Sequence, residues 1–481
     1  MGDTTSTTKQ PNIVLILSDD HGYADRSILG IHHDVRTPSL DRLAREGVSC
    51  AEGYVTAPIC SPSRAGLIVG QHQSRWGSRW FGDSRFPEHT PSLAEQLTKV
   101  GYRTAYLGKV HYGPEDIGDP GAPPHHGFQE TFYGLAGKQT GRLNYLRHSQ
   151  AAVDEYGQLA STASAVQPML EGDTEVDCEG FLTDELGSRA RDFVSRRSGQ
   201  DEPFFLMLAF NAVHNFCWQL PPEELERRSL PTHADFKGDD RESYLDWYDG
   251  QVAPNLDHGR AYYLAQLELM DRQIGALLDT IDDEGVAEDT IVVYLTDNGG
   301  SNCNYADNSP LSGTKYTLQE GGIRVPYLWR WPGGGVPAGV TRDGVVSSMD
   351  LFPTLLTAAG AEPTAYDSSD GRDLMPLLRD GDRASAHERL HWDNGFQWAV
   401  REGSWKLCWT DPDSSEVAGL RAVERAEPVL GLRLYDVAQD PGETTDLTSQ
   451  HPEMVERLRA THEQWRQETL GSPSQPTVRS T

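Results

Sequence analysis

Long apolar runs that end abruptly at polar residues are the main pattern of this chain. The runs cover residues 13–17, 204–210 and 291–295, and they are rich in β-branched or aromatic residues. Continuous rather than alternating apolar residues are typical of parallel strands whose two faces are both covered by helices. Because open α/β sheets bind ligands beyond the carboxyl ends of their strands, the polar residues that follow these runs should converge on one edge.

Helical signals alternate with these runs. A threonine followed by proline at the start, and a glycine at the end, predict helices across residues 37–47 and 90–101. Apolar residues at helical spacing predict a longer helix over about residues 260–284, and a short helix is predicted from Asp350 to Gly360. The alternation predicts an α/β fold with a large, mostly parallel (mixed) sheet sandwiched by helices.

The C-terminal part of the chain has a different pattern. Residues 361–386 are rich in Asp, Ser, Pro and Gly, which is typical of a linker. A small antiparallel sheet with a helix is predicted from segments at 390–392, 397–401, 405–409, 432–437 and 452–468. The predicted organisation is a polar tail at 1–10, a main domain at 11–360, a linker at 361–386, a small α+β domain at 387–470 and a disordered tail at 471–481.

Composition narrows the class of protein further. The 481 residues are 37% hydrophobic and carry a formal net charge of −30, which argues against nucleic acid or an anionic membrane as a partner. Six widely spaced cysteines without a C-x-x-C pair disfavour a zinc site, a redox protein or a disulfide framework. The N-terminus lacks a signal-peptide pattern, and no apolar run approaches the ~20 residues of a membrane helix. A cytoplasmic protein is therefore expected.

A cysteine motif carries the most specific chemistry. The sequence Cys-Ser-Pro-Ser-Arg begins at Cys60 and is accompanied, in a fixed order along the chain, by Asp19-Asp20, Gly108-Lys109-Val110-His111, Asp297-Asn298-Gly299 and a glycine-rich segment at 313–326. This set resembles the type I sulfatases of the alkaline phosphatase superfamily. The resemblance implies an alkaline-phosphatase-like fold and hydrolysis of a sulfate ester. It also implies that a formylglycine-generating enzyme converts Cys60 to formylglycine, whose aldehyde hydrate is the nucleophile.

Four residues at two predicted strand ends are hard oxygen donors: Asp19, Asp20, Asp297 and Asn298. Such donors bind Ca²⁺ or Mg²⁺ in preference to softer metals. The resemblance implies that these four residues bind one divalent cation, with the formylglycine at Cys60 as a further ligand. Calcium is the usual ion of the family, and Mg²⁺ or Mn²⁺ are alternatives.

The resemblance assigns roles to five further residues. Arg64 holds the hydrated aldehyde, and Lys109 contacts the sulfate and the nucleophile. His111 is the base that releases sulfate from the enzyme. His214 and Lys315 bind sulfate near the leaving oxygen and help to protonate the departing alcohol.

Other positions in these motifs have structural rather than chemical interpretations. Glu320 and Arg324 are expected to pair and to hold the loop that carries the catalytic lysine. Two residues depart from the family pattern: Val69 stands where threonine is usual, and Val213 stands where proline usually precedes the histidine. The first departure removes a hydrogen bond expected at a helix end and leaves the oxidation signal intact.

The alcohol part of the substrate is predicted from a segment at 71–80, which interleaves arginine with tryptophan. Aromatic faces stack on sugar rings, and guanidinium groups bind sulfate with two hydrogen bonds. Candidate substrate-binding residues are Arg75, Trp76, Arg79 and Trp80 of this segment, together with Trp392 and Asn394 of a second aromatic–polar segment at 391–396 in the small domain. Because the net charge disfavours long sulfated polymers, the expected substrate is a sulfated mono- or short oligosaccharide, with aryl sulfates as surrogates. Alternatively, the tryptophans of this segment are core residues covered by arginine stems.

Two other functions remain open. A phosphonate monoester or phosphodiester hydrolase would share the fold, the metal pocket and the cysteine motif. A non-catalytic binding protein could keep the fold, although the presence of every matched catalytic residue argues against it. Kinetics on both ester classes and the mass of the Cys60 peptide distinguish these functions.

Overall fold

The structure, a computed structural model, describes residues 9–137, 143–146, 169–233, 255–381 and 385–470. A ten-stranded mixed sheet dominates it, and a separate four-stranded antiparallel sheet follows along the chain. The strands are β1 (Asn12–Ser18), β2 (Val48–Tyr54), β3 (Arg103–Val110), β4 (Glu130–Leu135), β5 (Met169–Glu171), β6 (Thr174–Val176), β7 (Phe204–Ala209), β8 (Thr290–Thr296), β9 (Tyr327–Arg330), β10 (Val340–Ser347), β11 (Arg389–Asp393), β12 (Gln397–Glu402), β13 (Trp405–Thr410) and β14 (Gly431–Asp436). The α-helices of the described residues are α1 (Pro38–Glu46), α2 (Cys60–Val69), α3 (Leu93–Lys99), α4 (Leu182–Arg197), α5 (Pro222–Arg228), α6 (Gly259–Asp283), α7 (Glu320–Ile323), α8 (Leu351–Ala358), α9 (Met375–Asp380), α10 (Ser415–Val423) and α11 (Pro452–Leu470).

The strand order of the large sheet brings several carboxyl ends together. The order is β10-β2-β9-β8-β1-β7-β3-β4-β5-β6, with β1 parallel to both β7 and β8. In that register Leu15 lies opposite Met207 and Val293. β3 is parallel to β7, while β9 is antiparallel to β8 and to β2. Strands β1, β2, β3, β7 and β8 therefore end at the same edge, as the sequence predicted for β1, β7 and β8.

The central strands are buried on both faces. Along β1, Val14 and Ile16 belong to one core cluster, whereas Ile13, Leu15 and Leu17 belong to the other. The first cluster is completed by α1, α4 and α6, and the second by α2, α3, α8 and α9. Burial on both faces explains why these strands are continuous apolar runs.

The predicted start of α1 at Thr37-Pro38 is confirmed, whereas the predicted start of α3 is wrong. The N-cap of α3 is Ser92, whose side chain accepts from the Glu95 N–H while the Glu95 carboxylate accepts from the Ser92 N–H. This reciprocal capping box satisfies two N–H groups, so α3 starts after Ser92 rather than at Thr90. The Thr37 hydroxyl makes no capping bond to α1 and instead accepts from the Ser27 N–H at 2.9 Å.

The segment predicted as a linker, residues 361–386, is partly helical. It contains α9, and Leu374, Leu377 and Leu378 are buried in the core on one face of the large sheet. Polar, glycine and proline residues on both sides of this short apolar stretch give the whole segment a linker-like composition. The segment therefore covers part of the main domain as well as connecting it to the second sheet.

The second sheet has the order β11-β12-β13-β14 and is antiparallel throughout, which confirms the predicted small α+β unit. One face packs against the main domain, where Trp392 and Tyr435 join Tyr54 and Ile323 in a buried cluster. Helix α11 covers the other face through Val455 and its apolar neighbours. Helix α10 lies between β13 and β14 in the chain and becomes important at the active site.

The predicted terminal tails lie largely beyond the described residues. Of the tail at 1–10, only Lys9 and Gln10 are described, and the tail at 471–481 is wholly outside. Gln10 Nε2 donates to the Ala359 carbonyl at 2.7 Å. Within the described ranges, no helix combines the length and the apolar composition that crossing a membrane requires.

Candidate active site

Polar side chains from five strand ends meet at the carboxyl edge of the large sheet. They lie at or just beyond the ends of β1, β2, β3, β7 and β8, with one more residue from the loop before α7. In chain order they are Asp19, Asp20, Cys60, Arg64, Lys109, His111, His214, Asp297, Asn298 and Lys315. All are buried, and the most exposed of them, His214, is only 6% exposed. The predicted catalytic and metal-binding residues thus lie together at the edge that the sequence indicated.

Cys60 is the first residue of α2 and is 1% exposed. Burial raises the pKa of its thiol, so an unmodified Cys60 is protonated and a poor nucleophile. The helix runs from Cys60 to Val69, so Cys60 itself lies in the first turn. Pro62 is compatible with this start because N–H groups in the first turn have no intrahelical partner. A helix N-terminus with free N–H groups favours a bound anion.

Arg64 lies one turn after Cys60 and joins α2 to the strand ends. Its Nε donates to Asp297 Oδ2 at 2.7 Å, and its Nη1 donates to the Lys109 carbonyl at 3.2 Å. Its Nη2 lies 3.3 Å from Asp19 Oδ2. Since the guanidinium is 1% exposed and bound from three sides, it fixes the helix that begins at Cys60.

The two aspartates that contact Arg64 differ in their electrostatic environment. Burial and the neighbouring Asp297 raise the pKa of Asp19, against the opposing effect of Lys109 and Arg64. Burial also opposes ionisation of Asp297, but Arg64, Lys109 and Lys315 together hold its pKa below the usual value. Asp297 is therefore a carboxylate at neutral pH, and the raised pKa of Asp19 indicates a place where a bound cation would be favourable.

The donor atoms fit a hard divalent cation. Asp19 Oδ1 and Asn298 Oδ1 are buried oxygens without a hydrogen-bond donor among the described residues. Asp20 has a left-handed backbone with φ of 58°, and its Oδ1 accepts from Asn298 Nδ2 at 2.6 Å. Asp19, Asp20 and His214 each place one possible ligand atom within 4.8 Å of the others. A set dominated by carboxylate and amide oxygens is the kind that Ca²⁺ or Mg²⁺ prefers.

Two buried lysines lie beside these carboxylates. Lys109 Nζ contacts Asp19 Oδ2, and Lys315 Nζ lies 2.8 Å from Asp20 Oδ1. Burial opposes the charge of Lys315, but Asp20 and Cys60 raise its pKa above the usual lysine value. A charged ammonium at this position can donate hydrogen bonds to the oxygens of a bound sulfate.

The two histidines of the site have different surroundings. His111 is 3% exposed, and its Nδ1 has no hydrogen-bond partner within the described part of the chain. Burial, Lys109 and Arg64 lower the pKa of His111 well below its usual value, so the ring is neutral and can accept a proton. His214 Nε2 lies 3.5 Å from Asp20 Oδ2.

Glu320 and Arg324 have the structural role that was predicted for them. Arg324 Nη1 lies 3.5 Å from Glu320 Oε2, which confirms the pairing. Glu320 Oε2 also accepts from the Tyr54 hydroxyl at 2.6 Å, and Oε1 accepts from Lys406 Nζ at 2.9 Å. Burial opposes its ionisation, but Lys406 and Arg324 lower the pKa of Glu320 to about 2. This carboxylate thus ties the loop that carries Lys315 to β2 and to β13.

A narrow pocket of about 30 Å³ gives access to Cys60. Several lining residues were not predicted from the sequence: Phe81, Asn215, Ser301, Asn304, Tyr316 and Val423. Asn304 Nδ2 donates to Asp20 Oδ2 at 2.7 Å, so it belongs to the same hydrogen-bond network as the proposed metal ligands. The only sequence signal for Asn304 is that it lies shortly after the Asp-Asn-Gly motif. No motif marks Val423, which comes from α10 of the second sheet's domain.

The residues predicted to bind the alcohol are not among those that line this pocket in the described structure. Arg75 Nε donates to Asp370 Oδ2 at 2.7 Å, and Trp76 Nε1 donates to a backbone carbonyl at 2.9 Å. Trp392 is 2% exposed and donates to another backbone carbonyl at 2.7 Å. Asn394 Oδ1 accepts from a backbone N–H at 3.0 Å. Each of these four side chains therefore makes a hydrogen bond to another part of the protein.

The two remaining members of that set, Arg79 and Trp80, directly precede Phe81, which lines the pocket. Arg79 Nη1 is 3.8 Å from Asp393 Oδ1. Trp80 packs edge-on against Phe396 with centroids 4.9 Å apart, and its Nε1 donates to Glu416 Oε2 at 3.0 Å. Substrate binding by the six residues stays a prediction.

The fold and the site together define a hydrolase of the alkaline-phosphatase-like type, with buried cationic groups and carboxylates around a helix N-terminus. The family model described as "Sulfatase" matches residues 11–361. This chain belongs to the sulfatase family and is a sulfuric ester hydrolase.

Named relatives and solved structures agree with this family. The chain is 30% identical to steryl-sulfatase of Mus musculus, over 97% of this chain and 84% of the relative. It is 31% identical to arylsulfatase A of Homo sapiens, over 94% of this chain and 87% of the relative. The crystal structure of Ps i-CgsB is similar with a TM-score of 0.77 and 27% identity, over 95% of this chain and 92% of that one. Ps i-CgsB has also been solved in complex with k-i-k-neocarrahexaose, and that structure gives a TM-score of 0.76 at 26% identity, over 95% of this chain and 92% of that one.

Proposed function

We propose that this sulfatase acts through a formylglycine formed from Cys60, with a divalent cation held at the ends of β1 and β8. The position of Cys60 carries the proposal. It begins α2 at the pocket, one turn before Arg64, whose Nε contacts Asp297 Oδ2 at 2.7 Å. A buried, protonated thiol is poorly suited to attack sulfur, whereas the surrounding cations suit an anionic substrate. Maturation would require a formylglycine-generating enzyme as a partner.

The proposed cation is Ca²⁺, with Mg²⁺ or Mn²⁺ as alternatives. Asp19, Asp20, Asp297 and Asn298 would hold it through oxygen atoms, together with an oxygen of the formylglycine at residue 60. Two of these oxygens, on Asp19 and Asn298, have no donor among the described residues. A bound cation supplies positive charge that polarises sulfate oxygens and favours ionisation of a nearby hydroxyl.

Formylglycine supplies an aldehyde hydrate with two hydroxyl groups, one to attack sulfur and one to drive the release of sulfate. A serine at this position would have no second hydroxyl and could not complete the cycle.

The side chains of the chain itself position the ester and move protons. Lys109 and Lys315 bring positive charge to the sulfate oxygens, where negative charge develops during transfer. His214 or Lys315 gives a proton to the alcohol oxygen as it leaves. Neutral His111 accepts a proton when sulfate is released. In each turnover the hydrate loses both hydroxyl protons; the proton given to the alcohol balances one of them, His111 accepts the other, and a water molecule restores the hydrate.

For the alcohol, we propose a sulfated mono- or short oligosaccharide, with aryl sulfates as surrogate substrates. The net charge of −30 supports a small substrate, because the protein repels long sulfated polymers. The names of the relatives span different alcohols: steryl and aryl esters for the curated proteins, and a carrahexaose in the Ps i-CgsB complex.

Two measurements test the proposed function. Peptide mass analysis of active protein should show an aldehyde in place of the Cys60 thiol, and full activity of material whose Cys60 is entirely thiol would falsify the proposal. Parallel kinetics should give a higher kcat/KM on sulfate esters than on phosphonate monoesters or phosphodiesters. The reverse preference would assign the phosphonate hydrolase function, and the absence of turnover with formylglycine present would assign a binding protein.

A further inference from the structure

Large apolar side chains that remain exposed are few in the described parts of the chain, and two of them lie at the pocket. The set is Ile28, Leu29, Ile31, Phe81, Ile117 and Val423. Phe81 is 42% exposed and Val423 is 43% exposed, and both line the pocket that contains Cys60. Apolar side chains exposed at a concave site commonly mark the place where a ligand binds.

Phe81 is supported by an aromatic group. Its ring centroid lies 5.6 Å from that of Trp80 and 5.8 Å from that of Tyr316. Trp80 packs in turn against Phe396 at 4.9 Å and donates from Nε1 to Glu416 of α10 at 3.0 Å. The ring of Phe81 is therefore packed on its protein side while a large part of its surface remains exposed.

Val423 is fixed by the residue that follows it. Glu424 is fully buried and accepts from Ser301 Oγ at 2.6 Å, from the Asn302 N–H at 2.7 Å and from Thr314 Oγ1 at 2.9 Å. Val423 is the last residue of α10, so these bonds hold the end of the helix against two active-site loops. Helix α10 thus contacts both the aromatic group around Phe81 and the loops beneath Val423.

The interior of the pocket is polar and narrow. It is lined by Asp20, His214 and Lys315 beside Cys60, and its volume is about 30 Å³. The sulfate group of an ester has to reach this polar interior beside Cys60, so its alcohol has to extend outward to the mouth of the pocket.

We propose that Phe81 and Val423 are specificity-determining residues that contact the alcohol of the ester at the mouth of the pocket. The preferred alcohol then carries a ring with an apolar face, and both an arene and the C–H face of a sugar ring have this chemistry. The inference rests on the sulfatase function proposed above and deepens it. Contact with such a ring removes apolar surface of both partners from water, which favours ring alcohols over charged, open-chain ones.

Serine substitutions test the contact. Phe81→Ser and Val423→Ser remove the apolar surface, and Ile117→Ser is the matched control because Ile117 is 44% exposed and does not line the pocket. The assay measures kcat/KM for 4-nitrophenyl sulfate and for a monosaccharide sulfate, together with the Ki of inorganic sulfate. We expect each pocket variant to lower kcat/KM by about tenfold or more on a ring substrate. The Ki of sulfate should stay within about twofold, because this ion has no alcohol part.

The pattern of losses identifies the ring. A greater loss on the aryl ester assigns an arene, and a greater loss on the sugar ester assigns the C–H face of a sugar. Phe81→Leu, which keeps an apolar side chain, should recover most of the activity that Phe81→Ser loses. The proposal is overturned if folded variants keep kcat/KM on both ring esters, or if the Ki of sulfate rises in parallel with the loss. Absence of turnover by the unsubstituted protein with formylglycine at residue 60 would instead overturn the sulfatase mechanism.

Discussion

Arg64 Nε donates a 2.7 Å hydrogen bond to Asp297 Oδ2 across 233 positions of sequence. The bond joins α2, which begins at Cys60, to the end of β8, where the proposed metal ligands lie. Both side chains are buried, so the interaction is only weakly screened by water. Since the same guanidinium also lies 3.3 Å from Asp19, it sets the position of Cys60 relative to the proposed cation site.

Asp297→Asn tests this link. The change keeps the shape of the side chain but removes the charge that pairs with Arg64 and would bind the cation. We expect both bound metal and kcat/KM to fall, the latter by at least about 100-fold. Metal analysis and steady-state kinetics measure the two effects. Asp289→Asn is the control, because Asp289 is 46% exposed and pairs with the exposed Lys9. Normal turnover by exhaustively chelated protein would show that the cation assignment is wrong.

Cys60→Ala and Cys60→Ser should both be inactive yet folded. Alanine has no nucleophile, and serine lacks the second hydroxyl that a hydrated aldehyde provides. Thermal unfolding and activity on an aryl sulfate measure the outcome. Cys408→Ala is the control for loss of a buried thiol, since Cys408 lies in the core of the second sheet. An active Cys60→Ser variant would contradict the role of formylglycine.

The sequence predicted the sheet and the charged interior of the site for a physical reason. Strands buried on both faces have to be continuous apolar runs, and the residues that end them fall at the edge where ligands bind. The start of α3 was missed because Thr90-Pro91 and Ser92 are both plausible helix starts. Only the reciprocal bonds between Ser92 and Glu95 decide between them.

The mouth of the pocket could not be predicted from local pattern. Phe81 and Val423 are far apart in sequence, and only the packing of α10 against Trp80 and the active-site loops brings them to one pocket. The arginine–tryptophan segment was predicted from composition as a sugar site, and in the structure Arg75 pairs with Asp370 and Trp76 donates to a backbone carbonyl. Composition cannot distinguish side chains that bind a ligand from those that hold a loop.

Glu424→Ala should destabilise the protein and lower activity. The change leaves Ser301 Oγ, the Asn302 N–H and Thr314 Oγ1 without their acceptor, at a cost of about 3 kcal/mol. Because Thr314 precedes Lys315, kcat/KM should fall as well. Denaturant unfolding and kinetics measure the two effects.

Two comparisons show whether Glu424 acts as a positioning residue. Glu424→Gln keeps one acceptor oxygen and should recover part of both the stability and the activity. Glu416→Ala removes one hydrogen bond from Trp80 at the other end of α10 and should cost less than about 1 kcal/mol. Unchanged stability of Glu424→Ala would exclude the proposed anchoring of α10.

Three buried histidines around Trp465 should make stability depend on pH. His72, His391 and His462 lie with ring centroids 5.1, 4.9 and 5.4 Å from Trp465, where α11 meets the second sheet and the segment after α2. Burial lowers their pKa values to about 4, 2 and 3, respectively. All three rings are therefore neutral in the folded protein at neutral pH.

The unfolded chain binds these protons at a higher pH, near 6.5, so acid favours unfolding. Above that pH these histidines do not make the free energy of unfolding depend on pH. Below it, each histidine lowers the free energy of unfolding by about 1.4 kcal/mol per pH unit until its folded pKa is reached.

His462→Phe keeps an aromatic ring beside Trp398, which packs 4.6 Å from His462, and removes one titrating group. The slope of stability against pH between 4 and 6.5 should decrease by about this amount, as measured by urea unfolding. His451→Phe is the control, because His451 is an exposed ring that packs 4.9 Å from Trp405. Equal slopes for His462→Phe and the unsubstituted protein would show that this cluster does not control acid unfolding.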